Sequence, residues 1–243
     1  MPDLCIIHTS DLHDHLTPEK AAALRALKEE HEALLIDSGD AVRAPNVAVM
    51  PWRERAISLM NEAGCDAMGL GNREYFYRNR GMAWKTGHAR FPRICSNLRG
   101  AGGVVPGVDV WAVVRSPGGL RVGLMAFMPT MIAPGHWFEK LSDNRFRPWQ
   151  EAAHEAATGL REQADLLLAL FHRPPEEIPE LAAICPEVTL VLAGHAHATA
   201  ADLEHLADTP HVSFVGEGAR QARVIRLRSP EGTVTMSRLV DLG

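Results

Sequence analysis

Five apolar runs of this 243-residue chain each end, on the C-terminal side, in side chains that can bind a metal. "LCIIHTS" leads into Asp11-Leu12-His13, "ALLIDSGD" ends in Gly39-Asp40, and "CDAMGLGN" ends in Gly71-Asn72. "LLLALFH" ends in His172, and "TLVLAGHAH" ends in His195 and His197. These seven oxygen and nitrogen donors include no cysteine, so the set suits divalent Mn, Fe, Co or Zn better than a thiolate zinc site. An Asp-x-His pair just past a strand end can turn both side chains toward one ion. His195 and His197 can do the same across the small Ala196. Gly39 and Gly194 permit the tight turns such loops need. Asp40 has two carboxylate oxygens and can bridge two cations, which about 3.5 Å apart would clamp a phosphate and hold an activated hydroxide. Taken singly, Asn72 and His172 are better read as a turn residue and a rim histidine. Five strand ends together favour the metal.

Such convergence requires a sheet. In an open α/β sheet the loops beyond the carboxyl ends of the strands diverge and leave a crevice. The first half alternates strand and helix signals: a strand in "LCIIHTS", a helix in "TPEKAAALRALKEEHE" starting at Thr17-Pro18, and a buried strand in "ALLIDSGD". "MPWRERAISLMNEAG" reads as an amphipathic helix closed by Gly64, and "CDAMGLGN" as a third strand. "FPRICSN" follows, then "VDVWAVVR" and "GLRVGLMAFMP", which resemble an antiparallel pair. Next come a helix in "PWQEAAHEAATGLREQ", a strand in "ADLLLALFHRP", a short helix in "PEEIPELAAIC" and a strand in "VTLVLAGHAHA". The end is β only: "HVSFVGEG", "QARVIRLRS" and "GTVTMSRLV". No linker or repeat interrupts the pattern, so one α/β domain with mixed sheets is expected.

Composition narrows the function classes. The chain is 46% hydrophobic, enough for a sizeable core. A net charge of −5 gives no basic stripe for nucleic acid. Twelve histidines are many for this length. No signal-peptide pattern precedes the first strand and no apolar run is long enough for a bilayer, so the expectation is a cytoplasmic protein without a membrane partner. Cys5, Cys65, Cys95 and Cys185 lie far apart in mostly apolar contexts and read as buried free thiols.

With these residues in place, the sequence resembles the calcineurin-like metallophosphoesterases. That family carries D-x-H, G-D, G-N-H-[DE], a lone H and G-H-x-H in this order, here "DLH", "GD", "GNRE", "FH" and "GHAH". "IIHTSDLHDHL", "LLIDSGD", "FPRICSNL" and "GLRVGLMAF" look most like the catalytic domain of 5′-nucleotidases and 2′,3′-cyclic phosphodiesterases. The resemblance implies a four-layer α/β/β/α sandwich, two mixed sheets flanked by helices, with a dinuclear site at one edge. It implies one metal held by Asp11, His13, Asp40 and His197, and another by Asp40, Asn72, His172 and His195. The expected ions are two divalent metals, Mn²⁺ first, with Fe, Zn, Co or Ni as alternatives. The expected reaction is hydrolysis of a small phosphate ester, with a nucleotide among the candidates, by in-line attack of a metal-bridging hydroxide. A phosphodiesterase and a metal-binding scaffold are the alternatives.

Two departures from the family matter. The residues after His197 read as closing strands, so the expectation is a single metallophosphoesterase domain over 1–243, without the C-terminal nucleotide-specificity domain of 5′-nucleotidases. The other departure is Arg73, where the family usually has a histidine near the leaving oxygen. An arginine cannot give up a proton at ordinary pH, but it can make paired hydrogen bonds to phosphate. Arg73 is therefore expected to be a substrate-binding phosphate clamp beside Asn72. General-acid help, typically ~10²–10⁴-fold, is lost or supplied elsewhere. Glu74 is adjacent, and His136 is a speculative substitute better read as a solvated loop residue. Asp37 either orients a ligand or stabilises a turn. His8 reads as structural, His31, His154 and His205 as solvated, and His15 and His88 as unplaced. "YFYRNRGMAWKTGHARF" either lines a pocket or packs a surface helix.

Overall fold

The computed structural model describes residues 3–43, 53–100, 102–205, 210–229 and 232–243. Among them, strands β1 (Asp3–Thr9), β2 (Leu34–Asp37), β3 (Ala67–Gly69) and β4 (Arg93–Ile94) run parallel in one sheet. Two antiparallel strands, β12 (Gln221–Arg228) and β13 (Thr233–Asp241), complete it on the other side of β1, in the order β13-β12-β1-β2-β3-β4. The second sheet has the order β11-β10-β9-β7-β6, from β6 (Trp111–Arg115), β7 (Arg121–Phe127), β9 (Leu166–Phe171), β10 (Val188–Ala193) and β11 (His211–Ser213). Only β6 runs antiparallel to its neighbour, as the tandem "VDVWAVVR" and "GLRVGLMAFMP" predict. Two short strands, β5 (Leu98–Gly100) and β8 (Asn144–Phe146), pair separately.

The two-residue period of the strands decides the layers. Leu4, Ile6, Leu34, Ile36, Leu168, Leu170, Leu190, Leu192, Ile225 and Leu227 pack into one core between the sheets. Cys5, Ile7 and Leu35 point the other way, against helices α1 (Pro18–His31) and α2 (Arg55–Ala63). Phe127, Ala169, Phe171 and Val191 do the same against α4 (Trp149–Leu160) and α5 (Ile178–Ile184). Strands buried on both faces read as continuous apolar runs. The result is the expected four-layer α/β/β/α sandwich.

Local signals set the helix ends. Thr17 caps α1 by accepting from the Lys20 amide at 3.3 Å, with Pro18 in the first turn. Gly64 ends α2 in the left-handed region, φ 76°. Met50, Pro51 and Trp52, in the segment expected to begin that helix, lie outside the described residues. No helix of the described residues is long and apolar enough to cross a membrane. The four cysteines are free, three of them buried.

Candidate metal centre

β1, β2, β3, β9 and β10 deliver their following residues to one edge of the sandwich, where loops from both sheets meet. The Asp11 amide donates to the Gly39 carbonyl at 2.9 Å and the His13 amide to the Asp40 carbonyl at 3.0 Å, which ties the first two loops. Across the sheets, the His195 amide donates to the Asp11 carboxylate at 3.1 Å. Gly39 has φ +113°, and a Cβ there would sit 2.7 Å from the Gly71 nitrogen and 2.9 Å from His172 Nδ1. Gly194 serves differently from the expected turn. Its φ is not in the left-handed region, but a Cβ would come within 2.6 Å of His172 Nδ1, so close approach demands the glycine.

All seven expected donors come together. Asp11 Oδ1 lies 3.5 Å from His197 Nε2, 3.6 Å from His13 Nε2 and 3.9 Å from His172 Nε2. Asp40 Oδ2 lies 3.5 Å from His172 Nε2 and 3.8 Å from His13 Nε2. Asn72 Oδ1 faces His195 Nδ1 at 3.2 Å. Two tight donor clusters result, Asp11-His13-His197 and Asp11-Asp40-His172. Asp11 is thus common to both, where Asp40 was expected to be the shared carboxylate, although Asp40 Oδ2 also sits between His13 and His172.

The backbone supports the same centre. Asp11, His13, Asp40, His195 and His197 all have φ between 50° and 70°. Non-glycine residues in this region cost of order 1–3 kcal/mol each and gather where the surrounding structure enforces them for function.

The electrostatics are those of a cation site. Burial works to lower His13 and His172, yet the Asp11 and Asp40 carboxylates outweigh it and push both up to about 9. Burial raises the Asp40 carboxyl, but His13 and His172 win and hold it well below the usual carboxylate range. His195 is lowered by burial and by the charge of His172, which keeps it a neutral nitrogen donor. His13 Nε2 and His172 Nε2 are buried without a hydrogen-bond partner, and such orphaned atoms are rare in native structures. Bonds of ~2.1 Å meeting at an ion separate neighbouring donors by roughly 3–3.5 Å, close to the spacing of these nitrogens and carboxylate oxygens. The residues present therefore fit divalent metal.

Arg73 lies at the lip, its side chain about one-quarter exposed. Its amide donates to Asp40 Oδ1 at 2.7 Å, and its Nε is 3.5 Å from Asp40 Oδ2. Beneath it, buried Glu74 accepts from the amides of Gly71 (2.7 Å), Asp40 (3.0 Å) and Val42 (3.2 Å). Burial and the Asp40 charge raise its carboxyl. Buried Lys85 donates its Nζ to the Arg73 carbonyl. Glu74 thus staples two ligand loops together instead of facing the lip. Asp37 is fully buried and accepts from the Thr9 hydroxyl (2.7 Å) and the Gly39 amide (2.9 Å), so of its two readings the turn-stabilising one holds.

The remaining histidines sort clearly. His8 is structural as expected, fully buried between Ser213 Oγ (2.8 Å) and Ser38 Oγ (3.0 Å). His136 is exposed and its Nδ1 accepts from the Phe138 amide, which gives it a capping role. His88 binds the Glu54 carbonyl at 3.0 Å. His154 and His205 are exposed, but the His31 side chain is only 13% exposed, contrary to expectation. Of the two readings of the segment after Arg73, the packed helix is the one the structure supports. Tyr75, Phe76 and Met82 are buried in an apolar cluster, while Trp84 stays exposed on helix α3 (Asn79–Thr86).

Sequence reasoning missed Glu217. Its Oε2 lies 3.0 Å from His197 Nδ1 and 3.5 Å from His13 Nδ1. A strand-end signal existed in "HVSFVGEG", an acidic residue between two glycines after an apolar run. A cavity of about 360 Å³ opens beside it, lined by His197, Thr199, Glu217, Arg220, Gln221 and Asp241 among others.

Known proteins share this family and fold. The calcineurin-like phosphoesterase family model matches residues 5–199. An uncharacterised metallophosphoesterase of Bacillus subtilis is 27% identical over 80% of this chain and 43% of its own length. A snake venom 5′-nucleotidase of Gloydius brevicauda is 25% identical over 79% of this chain and 37% of its own. A 5′-nucleotidase precursor from Thermus thermophilus has the same fold at TM-score 0.79 and 18% identity, over 98% of this chain and 54% of that one. The chain thus spans about 40% of the length of these curated relatives. With the family model covering most of the sequence and every motif loop meeting at one edge, the chain belongs to the calcineurin-like phosphoesterases.

Proposed function

We propose that this chain hydrolyses a small phosphate ester at a centre of two divalent metal ions. The observation that carries the reading is the pair of buried, unpartnered nitrogens, His13 Nε2 and His172 Nε2, facing Asp11 and Asp40. Asp11, His13, Asp40 and His197 would hold one ion, and Asp40, Asn72, His172 and His195 the other. The place of Asp40 Oδ2 between His13 and His172 supports it as the shared ligand. Ions in such a site supply Lewis acidity and activate water at neutral pH. Manganese suits the all-oxygen-and-nitrogen donor set.

The side chains do the rest. Arg73 binds phosphate oxygens with charge-assisted hydrogen bonds, and the amide of Asn72 adds a donor. Lacking a proton to give, Arg73 favours esters whose leaving oxygen departs without acid help. The polar cavity beside His197 suits a small polar alcohol portion, and the nucleotidase names among the relatives make a nucleotide a reasonable form of it. The same reading treats residues 1–243 as one phosphoesterase unit, and the four free thiols suit a reducing cytoplasm.

The test is to strip the protein of metal, restore Mn²⁺, and follow p-nitrophenyl phosphate beside bis-p-nitrophenyl phosphate. Two bound ions per chain and Mn²⁺-dependent turnover are expected. The preferred compound separates monoester from diester chemistry. Two bound ions without turnover would replace catalysis by a metal-binding scaffold, and no bound metal would remove the site.

A further inference from the structure

We propose that Glu217 is a positioning residue of the metal centre: its carboxylate fixes the tautomer and the aim of His13 and His197. The inference rests on the two-metal reading above. One oxygen, Glu217 Oε2, lies 3.0 Å from His197 Nδ1 and 3.5 Å from His13 Nδ1. The opposite nitrogens of the same two rings, both Nε2, converge on one oxygen, Asp11 Oδ1, at 3.5 and 3.6 Å. The rings stand edge to face with centroids 4.9 Å apart. A neutral imidazole carries its proton on one nitrogen and a lone pair on the other, and the partner of the first decides which. A carboxylate behind both Nδ1 atoms keeps the protons there and leaves both Nε2 lone pairs facing the cluster around Asp11. A histidine ligand that donates its other N–H to a carboxylate is also a better donor.

The loop that carries Glu217 is held on both sides of it. The Gly216 amide donates to the Ala198 carbonyl at 2.7 Å, one residue past His197, and the Gly218 amide donates to the Asp11 carbonyl at 2.8 Å. Both glycines have positive φ, 74° and 76°, which turns the chain sharply around the glutamate. The loop is therefore sewn to two of the loops whose side chains it orients. His197 needs this support most, because its side chain is 43% exposed.

The experiment compares wild-type protein with Glu217→Ala and Glu217→Gln, counting free Mn²⁺ by its electron paramagnetic resonance signal during titration of metal-stripped protein. Wild type is expected to bind two ions. Glu217→Ala should weaken one of the two sites by ~10–100-fold and leave the other unchanged, the range for lost outer partners of metal ligands. Glu217→Gln keeps an oxygen that accepts from Nδ1–H, so it should restore most of that loss. Melting of the metal-free proteins should be alike, because the Glu217 side chain is 47% exposed. Wild-type affinity at both sites in Glu217→Ala would overturn the proposal. A Gln variant as weak as the Ala variant would also overturn it, by making Glu217 a direct ligand. A wild-type protein that binds no Mn²⁺ would instead refute the two-metal reading on which the proposal stands.

Discussion

The two halves of the centre are built on different principles. Around His172 the support is interior. The side chain is fully buried, its Nδ1 is held by the Ser38 carbonyl at 3.1 Å, and the adjoining Asp40 loop is stapled by buried Glu74. Around His197 the support is a half-exposed carboxylate on a surface loop. One half is oriented by backbone and packing, the other by a solvated side chain. The difference teaches that a single centre can join a rigid site to a more accessible one, so two metals bound as proposed would differ in exchange rate.

Substitutions can break that contrast. The largest effect is expected from His172→Ala, which leaves the buried Asp40 carboxylate short of a partner. Its metal-free form should lose about 3 kcal/mol of stability, whereas His197→Ala, in contact with solvent, should lose about 1 kcal/mol or less. Urea unfolding of both checks this, and equal losses would erase the distinction between the halves. Next comes Arg73→Ala. A hydrogen bond to a charged group contributes about 1.5–3 kcal/mol, so inorganic phosphate should bind roughly 10–100-fold more weakly to the metal-loaded variant. Unchanged inhibition by phosphate would end the clamp role. The smallest effect is a pH slope. With His13 and His172 pushed up to about 9 in the metal-free protein, a proton must leave each before the nitrogen can bind metal. Apparent Mn²⁺ affinity should therefore rise with pH up to about 9 and level off above it. A flat profile between pH 7 and 9 would show that these nitrogens are not the ones displaced.

Much of this was legible in the sequence because donor side chains at strand ends and strand periodicity are both local signals. Asp11, His13, Asp40, Asn72, His172, His195 and His197 could be read as candidate donors from where apolar runs stop, and an α/β chain with mixed sheets from the strand and helix signals, whereas the sandwich came only with the resemblance. The left-handed backbone at five of these residues was not legible, since no residue type announces it outside glycine. Glu217 was hidden for another reason: it belongs to none of the quoted motifs, and it reaches His13 and His197 only through a loop that returns late in the chain. Lys85 was passed over, and the burial of Glu74 was not foreseen, because charged residues are seldom fully buried unless paired. The short strands β5 and β8 escaped because three residues carry too little periodicity to detect.

The Gly218–Asp11 bond has a consequence for how the protein is made. β1 carries the first ligands, yet it lies between β2 and β12, and one of its two neighbours is not synthesised until residues 221–228. Contacts this distant along the chain form late in folding. A chain still emerging from the ribosome holds Asp11, His13 and Asp40 but lacks the strand and the loop that fix their surroundings. The edge that brings the candidate donors together is therefore complete only once residues 216–228 have been made.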